Sequence, residues 1–158
     1  MHPNEELLQR FYRSFHDRDG ESMAACYAED AEFHDPVFHL QGRDVGLMWR
    51  MLCASGKDLT VSAYGISADA KEGRVRWEAR YTFSRTGRKV HNVVKGRFRF
   101  RDGLIVRHED VFDFWRWSRM ALGPAGWILG WSPLLRNLVR KQALTGLEKY
   151  RRDIERTK

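Results

Sequence analysis

Apolar residues near the start of the chain recur at spacings of three and four. Leu7, Leu8, Phe11, Tyr12 and Phe15 make one stripe, with Asn4 where a helix cap belongs. This predicts an amphipathic helix that Asp19-Gly20 ends or interrupts. Glu21–Tyr27 reads as a second, short helix. Val45, Met48, Trp49 and Leu52 mark a third, entered through Gly42-Arg43-Asp44. Between them, Ala31–Phe38 contains His34-Asp35-Pro36, and the proline pushes Asp35 toward an extended conformation.

The period then changes to two. Asp58–Ala68 predicts a strand. In Arg74–Ser84, Val75, Trp77, Ala79, Tyr81 and Phe83 share one face, while arginines dominate the other. Lys89–Arg101 alternates again, with Asn92, Val94, Gly96, Phe98 and Phe100 aligned. Asp102-Gly103 is a strong hairpin signal, and Leu104–Phe112 follows with Val106, His108, Asp110 and Phe112 on one face. Helices followed by an antiparallel meander define an α+β fold. A curved antiparallel sheet with the N-terminal helices packed in its concave face would form a cone around an internal pocket. Aromatic rings would then face inward and arginines outward.

Residues 1–113 account for that cone, and residues 114–158 form an extension of different texture. Phe114, Trp115, Trp117 and Met120 begin a helix, and a stretch rich in Gly, Pro and Trp follows. Ser132-Pro133 then opens a further helix, with proline at its first position.

The charge separates along the same line. The chain has 158 residues and a formal charge of +7. Residues 1–113 hold 18 Lys/Arg against 18 Asp/Glu, whereas residues 114–158 hold 10 against 3, which is the whole excess. The basic balance therefore belongs to the extension, and no motif in it supports nucleic-acid binding. It is expected to cover the pocket mouth or a partner subunit, or to lie on an anionic membrane with Trp127 and Trp131 at the interface. The start, MHPNEELLQR, is no secretory signal, and the apolar run Met120–Leu135 is broken by Gly and Pro and shorter than the ~20 residues of a bilayer span. A cytoplasmic location is expected. Cys26 and Cys53 read as buried free thiols.

Three segments together resemble the nuclear-transport-factor-2-like superfamily, in its SnoaL-like and ketosteroid-isomerase-like branch. They are Leu8–Asp19, the stretch Tyr27-Ala28-Glu29-Asp30-Ala31-Glu32-Phe33-His34-Asp35-Pro36-Val37, and Gly96–Ile105. The resemblance spans roughly residues 4–114. It implies the cone-shaped α+β roll, usually a homodimer through the sheet, and a pocket that hosts enzymes and non-enzymes alike. In ketosteroid isomerases the Asp before Pro is the general base, which corresponds to Asp35. The two oxyanion donors correspond to Phe11 and Gly96, neither of which can donate a proton. Tyr12 points about 100° away from Phe11 on ideal helix geometry and is a poor substitute. SnoaL-like cyclases place an acid/base Asp near the end of the last strand, which corresponds to Asp110 or Asp113.

The polar residues have to be weighed against plain structural roles. Asp35 facing an aromatic pocket would have a raised pKa suited to proton transfer; otherwise it brackets the turn at Pro36. His108 and Asp110 share an inward face and could bond each other or a ligand. Asp113 has the opposite parity and reads as structural. Asn92 has inward parity, and a bulge would substitute His91. Phe11, Phe15, Trp49, Trp77, Tyr81 and Phe112 are expected to line the pocket or simply to pack in the core. His34, Asp35 and His39 match no standard metal-ligand spacing, and no nucleotide-binding or hydrolase motif occurs, so neither metal nor organic cofactor is expected. Two functions stay open. One is proton abstraction next to a carbonyl in a small hydrophobic molecule, with Asp35 as base and Asp110 and His108 as acid or polariser. The other is a non-catalytic ligand-binding or docking module.

Overall fold

The structure, a computed structural model, describes residues 1–157. Helix α1 (Pro3–His16) has Pro3 in its first turn, and its cap is the His2 ring rather than Asn4. The Asn4 side chain instead donates to the carbonyls of Asp69 and Ala70, tying the helix to a distant turn. Helix α2 (Gly20–Ala24) is capped by Asp19. Strands β1 (Tyr27–His34) and β2 (His39–Gln41) come next, then helix α3 (Arg43–Ser55). The meander consists of β3 (Thr60–Ala68), β4 (Glu72–Phe83), β5 (Arg88–Arg101) and β6 (Leu104–Val111). The β5–β6 turn has the paired positive φ angles, 54° at Asp102 and 76° at Gly103, that its sequence demands.

The six strands form one sheet in the order β2-β1-β6-β5-β4-β3. The expected all-antiparallel sheet needs one correction: β1 runs parallel to β6, with Phe33 opposite His108. Parallel neighbours need a long crossover, and here α3 and four strands supply it. Register shifts in β1, in β3 and at Arg99/Phe100 mark irregularities that bend the strands. Burial alternates without a break along β5, where Val90, Asn92, Val94, Gly96, Phe98 and Phe100 all point inward. Helix α1 fills the hollow, its Leu8 and Phe11 fully buried against the sheet.

Asp113 caps α4 (Phe114–Leu122), which is followed by α5 (Pro124–Leu129) and by α6 (Pro133–Arg156), capped by Ser132. These helices pack on the cone. Phe114, Trp117 and Ala121 cluster with Val90, against Val37, Tyr81 and Phe112. Leu147 of α6 enters the main core, Arg151 pairs with Asp44 of α3, and Arg140 Nε donates to the Pro36 carbonyl at 3.1 Å. The extension thus roofs the end of the cone where Asp35 lies. Both cysteines are buried and free. No described helix is long and apolar enough to cross a membrane.

Candidate functional site

A directed chain of hydrogen bonds runs through the centre of the cone. Trp49 Nε1 donates to the Tyr27 hydroxyl oxygen at 2.8 Å. The Tyr27 hydroxyl lies 2.7 Å from His108 Nδ1, and His108 Nε2 lies 2.8 Å from Asp110 Oδ1. An indole N–H can only donate, so the Tyr27 proton is left for His108 Nδ1. His108 then carries its own proton on Nε2 and gives it to the Asp110 carboxylate. Trp77 Nε1 adds a longer contact to the same oxygen, at 3.4 Å. His108 and Asp110 are 1% and 3% exposed, so burial without these partners would be costly.

Gly96 makes room for this carboxylate. It sits directly opposite Asp110 in the β5–β6 register, and a Cβ there would lie 3.0 Å from Asp110 Oδ1 and 2.9 Å from Val75. The position at which the resemblance implies an acidic donor is thus empty because an acid from the next strand occupies its space. Tyr12 completes the group. Its hydroxyl is buried and has no hydrogen-bond partner. Burial pushes its pKa well above the ordinary tyrosine value, and the charge of Asp110 adds to the shift. Tyr12 is buried as its place in the apolar stripe predicts, and its angular offset from Phe11 does not keep its hydroxyl from this interior. Helix α1 is enclosed broadly enough that Phe11 and Tyr12 are both buried.

Asp35 stands one residue beyond His34, which pairs with Glu109, so it arrives beside Asp110 on the neighbouring strand. Its Oδ1 accepts the backbone N–H groups of Val37 and Phe38, at 2.7 and 2.6 Å. It therefore does bracket the turn at Pro36. Burial nonetheless pushes its pKa up to about 7, against those two hydrogen bonds, with the Asp110 charge contributing and Arg140 opposing. Tyr81 is close enough for Asp35 to raise its pKa in addition to burial, and its hydroxyl accepts Trp117 Nε1 at 2.8 Å.

The remaining candidates divide by position. Phe11, Phe15 and Trp49 interlock edge to face in the core, and Phe11 also meets the His108 ring. Trp77 and buried Asn92 face inward as their parity demands, and Phe112 and Tyr81 lie where α4 packs on the sheet. His91 does not join them. With no bulge at that point it faces outward and contacts Glu78 at 2.7 Å. Both ring nitrogens of His108 are engaged, so it positions Asp110 and has no free nitrogen for a substrate. Asp113 is a helix cap. The residue missed in the sequence is Tyr27, which opens β1 where a helix end was expected. The His34 and His39 rings meet edge to face, but no set of three metal-ligating side chains converges among the described residues. Aromatic rings pack the centre of the cone, while Asp35, Tyr81 and Phe112 stay partly exposed. Two clefts, of about 910 and 600 Å³, lie on the outer face of the sheet and beside α4 and α5.

The family model for the SnoaL-like domain matches residues 8–108, and the chain belongs to that family. No curated protein matches it. Among solved structures it resembles a nuclear-transport-factor-2-like protein of unknown function from Burkholderia pseudomallei, with 21% identity, a TM-score of 0.65, and coverage of 76% of this chain and 98% of that one. An epoxide hydrolase of M. tuberculosis is similar at 18% identity and a TM-score of 0.62, covering 84% and 95%. A proposed polyketide cyclase from Xanthomonas campestris shares 18% identity at a TM-score of 0.62, covering 75% and 96%. These likenesses establish the fold.

Proposed function

We propose that the protein is an acid–base enzyme that moves a proton at a carbon next to a carbonyl in a small apolar substrate. The observation that carries this is the placing of Asp35 beside the buried Asp110–His108–Tyr27 chain, on the same interior as the unpartnered Tyr12 hydroxyl. Asp35, with a pKa of about 7, exchanges protons near neutrality, as a general base working at that pH must. Asp35 takes the proton, and the electron pair moves onto the carbonyl oxygen. The Tyr12 hydroxyl, otherwise unpartnered, donates to that oxygen. His108 and Tyr27 are positioning residues. Asp35 is partly exposed, and Arg140, bonded to the Pro36 carbonyl, borders it. The epoxide hydrolase and the proposed polyketide cyclase share this roll.

The test is deuterium exchange at the α-carbon of a panel of enolisable ketones, followed by NMR. Exchange should rise through a pH of about 7, and Asp35→Asn should slow it about 10²–10⁴-fold. Exchange that survives Asp35→Asn, or none with any ketone, overturns the assignment. The second result favours a non-catalytic binding module.

A further inference from the structure

We propose that the exposed face of α5 and the first half of α6 docks on an anionic lipid surface. Trp127, Ile128, Trp131, Leu134 and Leu138 are 58, 68, 74, 73 and 51% exposed, and they follow one another along the chain. Single exposed apolar residues are ordinary, but a contiguous run of large ones is not. The face does not come from loose packing beneath it. Gly126 and Gly130 lie so close to Ser118 of α4 that a Cβ on either would clash, and Leu135 is buried. The inner side of these helices is committed to the protein, and the outer side is exposed.

Charge identifies the occupant. From Phe114 to Leu147 the chain carries Arg116, Arg119, Arg136, Arg140 and Lys141 and no acidic residue. Arg88, Lys89, Arg116 and Arg119 line the cleft of about 600 Å³ whose rim includes Met120 and Trp127. The Arg119 guanidinium lies 4.0 Å over Trp115 and 4.7 Å over Trp127, and its Nε is buried without a partner. A basic hollow bordered by Trp127 and Met120 matches a phosphate headgroup above acyl chains. A second copy would bring the same excess of cations against itself. The helices lie on the bilayer rather than cross it, since none is long and apolar enough to span. Docking in this pose places the roofed end of the cone beside the lipid, whatever chemistry Asp35 performs.

The full chain should co-sediment with phosphatidylcholine vesicles containing about one-third phosphatidylglycerol, with a blue shift of Trp fluorescence, and far less with phosphatidylcholine alone. Raising salt from about 0.05 to about 0.5 M should release it. Trp131→Ser with Leu134→Ser, both highly exposed and so compatible with folding, should weaken binding at least about tenfold. Lys89→Glu with Arg116→Glu should remove the preference for anionic vesicles. Failure of the intact protein to bind, equal binding to neutral vesicles, or a self-association abolished by Trp131→Ser in its place would each overturn the proposal.

Discussion

Asp35 shows how a single residue can hold two roles. As the anchor of a turn it needs only an oxygen that accepts two backbone N–H groups, and an amide oxygen would serve. As a titrating acid it is under strain, because its pKa moves from 3.8 to about 7 on folding. Between those values the folded chain holds a proton that the unfolded chain has released, so stability must fall as pH rises. The loss approaches roughly 4 kcal/mol once both states are ionised. Asp35→Asn keeps the turn and removes the titration. The variant should therefore gain stability over the wild type as pH rises from about 4 to about 8, in urea unfolding read by Trp fluorescence. Taking the difference cancels exposed acids such as Asp58 and Asp69, whose lowered pKa values act in the opposite direction. A constant difference across that range would refute the shift. The sequence exposed this residue because Pro36 fixed its backbone and the family motif surrounded it. Strand parity alone placed His108, Asp110 and Asn92 inward. The sequence placed Tyr12 on the buried stripe of α1 but discounted it as a donor for its angle to Phe11, and α1 is wrapped on an arc wide enough to bury both.

At the scale of elements, local signals did best where structure is local. Ser132-Pro133 marked the start of α6, Asp102-Gly103 the β5–β6 turn, and alternation the long strands. What stayed hidden depends on distant partners. Strand β1 finds its parallel neighbour more than 70 residues later, and no period in Tyr27–His34 encodes that pairing. The docking of α6 is equally non-local. Its apolar residues do not make one clean stripe: Leu134, Leu138 and Leu144 stay exposed while Leu135 and Leu147 are buried. Leu147 is the main apolar tie of the helix to the cone, at 2% exposure. Leu147→Ala should cost about 2–5 kcal/mol of global stability if the roof and cone unfold together. Arg151 beside Asp44 is partly exposed and should matter much less on substitution. A Leu147→Ala variant with an unchanged urea midpoint would mean that α6 opens independently of the cone.

At the scale of the whole molecule, the neutral sum over residues 1–113 conceals a separation. The outer face of the sheet gathers Arg74, Arg76, Lys95, Arg97, Arg99 and Arg107 around the cleft of about 910 Å³, against Glu72, Glu109 and Asp69. Only part of this excess is neutralised within the chain, as where Arg99 meets Glu72 at 3.7 Å. The homodimer that the family resemblance implies would bury this face against its own copy. Two like-charged surfaces repel over about 10 Å at 0.1 M salt, and screening shortens that reach. Dimerisation through the sheet should therefore tighten as salt rises, the opposite of the lipid contact, which salt should weaken. Sedimentation equilibrium at about 0.05 and about 0.5 M NaCl separates the two effects, because one strengthens and the other disappears under the same change. Arg97→Glu, in the middle of the face, should raise the association constant at low salt and flatten its salt dependence. If association instead weakens with salt and is insensitive to Arg97→Glu, the copies meet elsewhere, and the basic sheet remains an open surface.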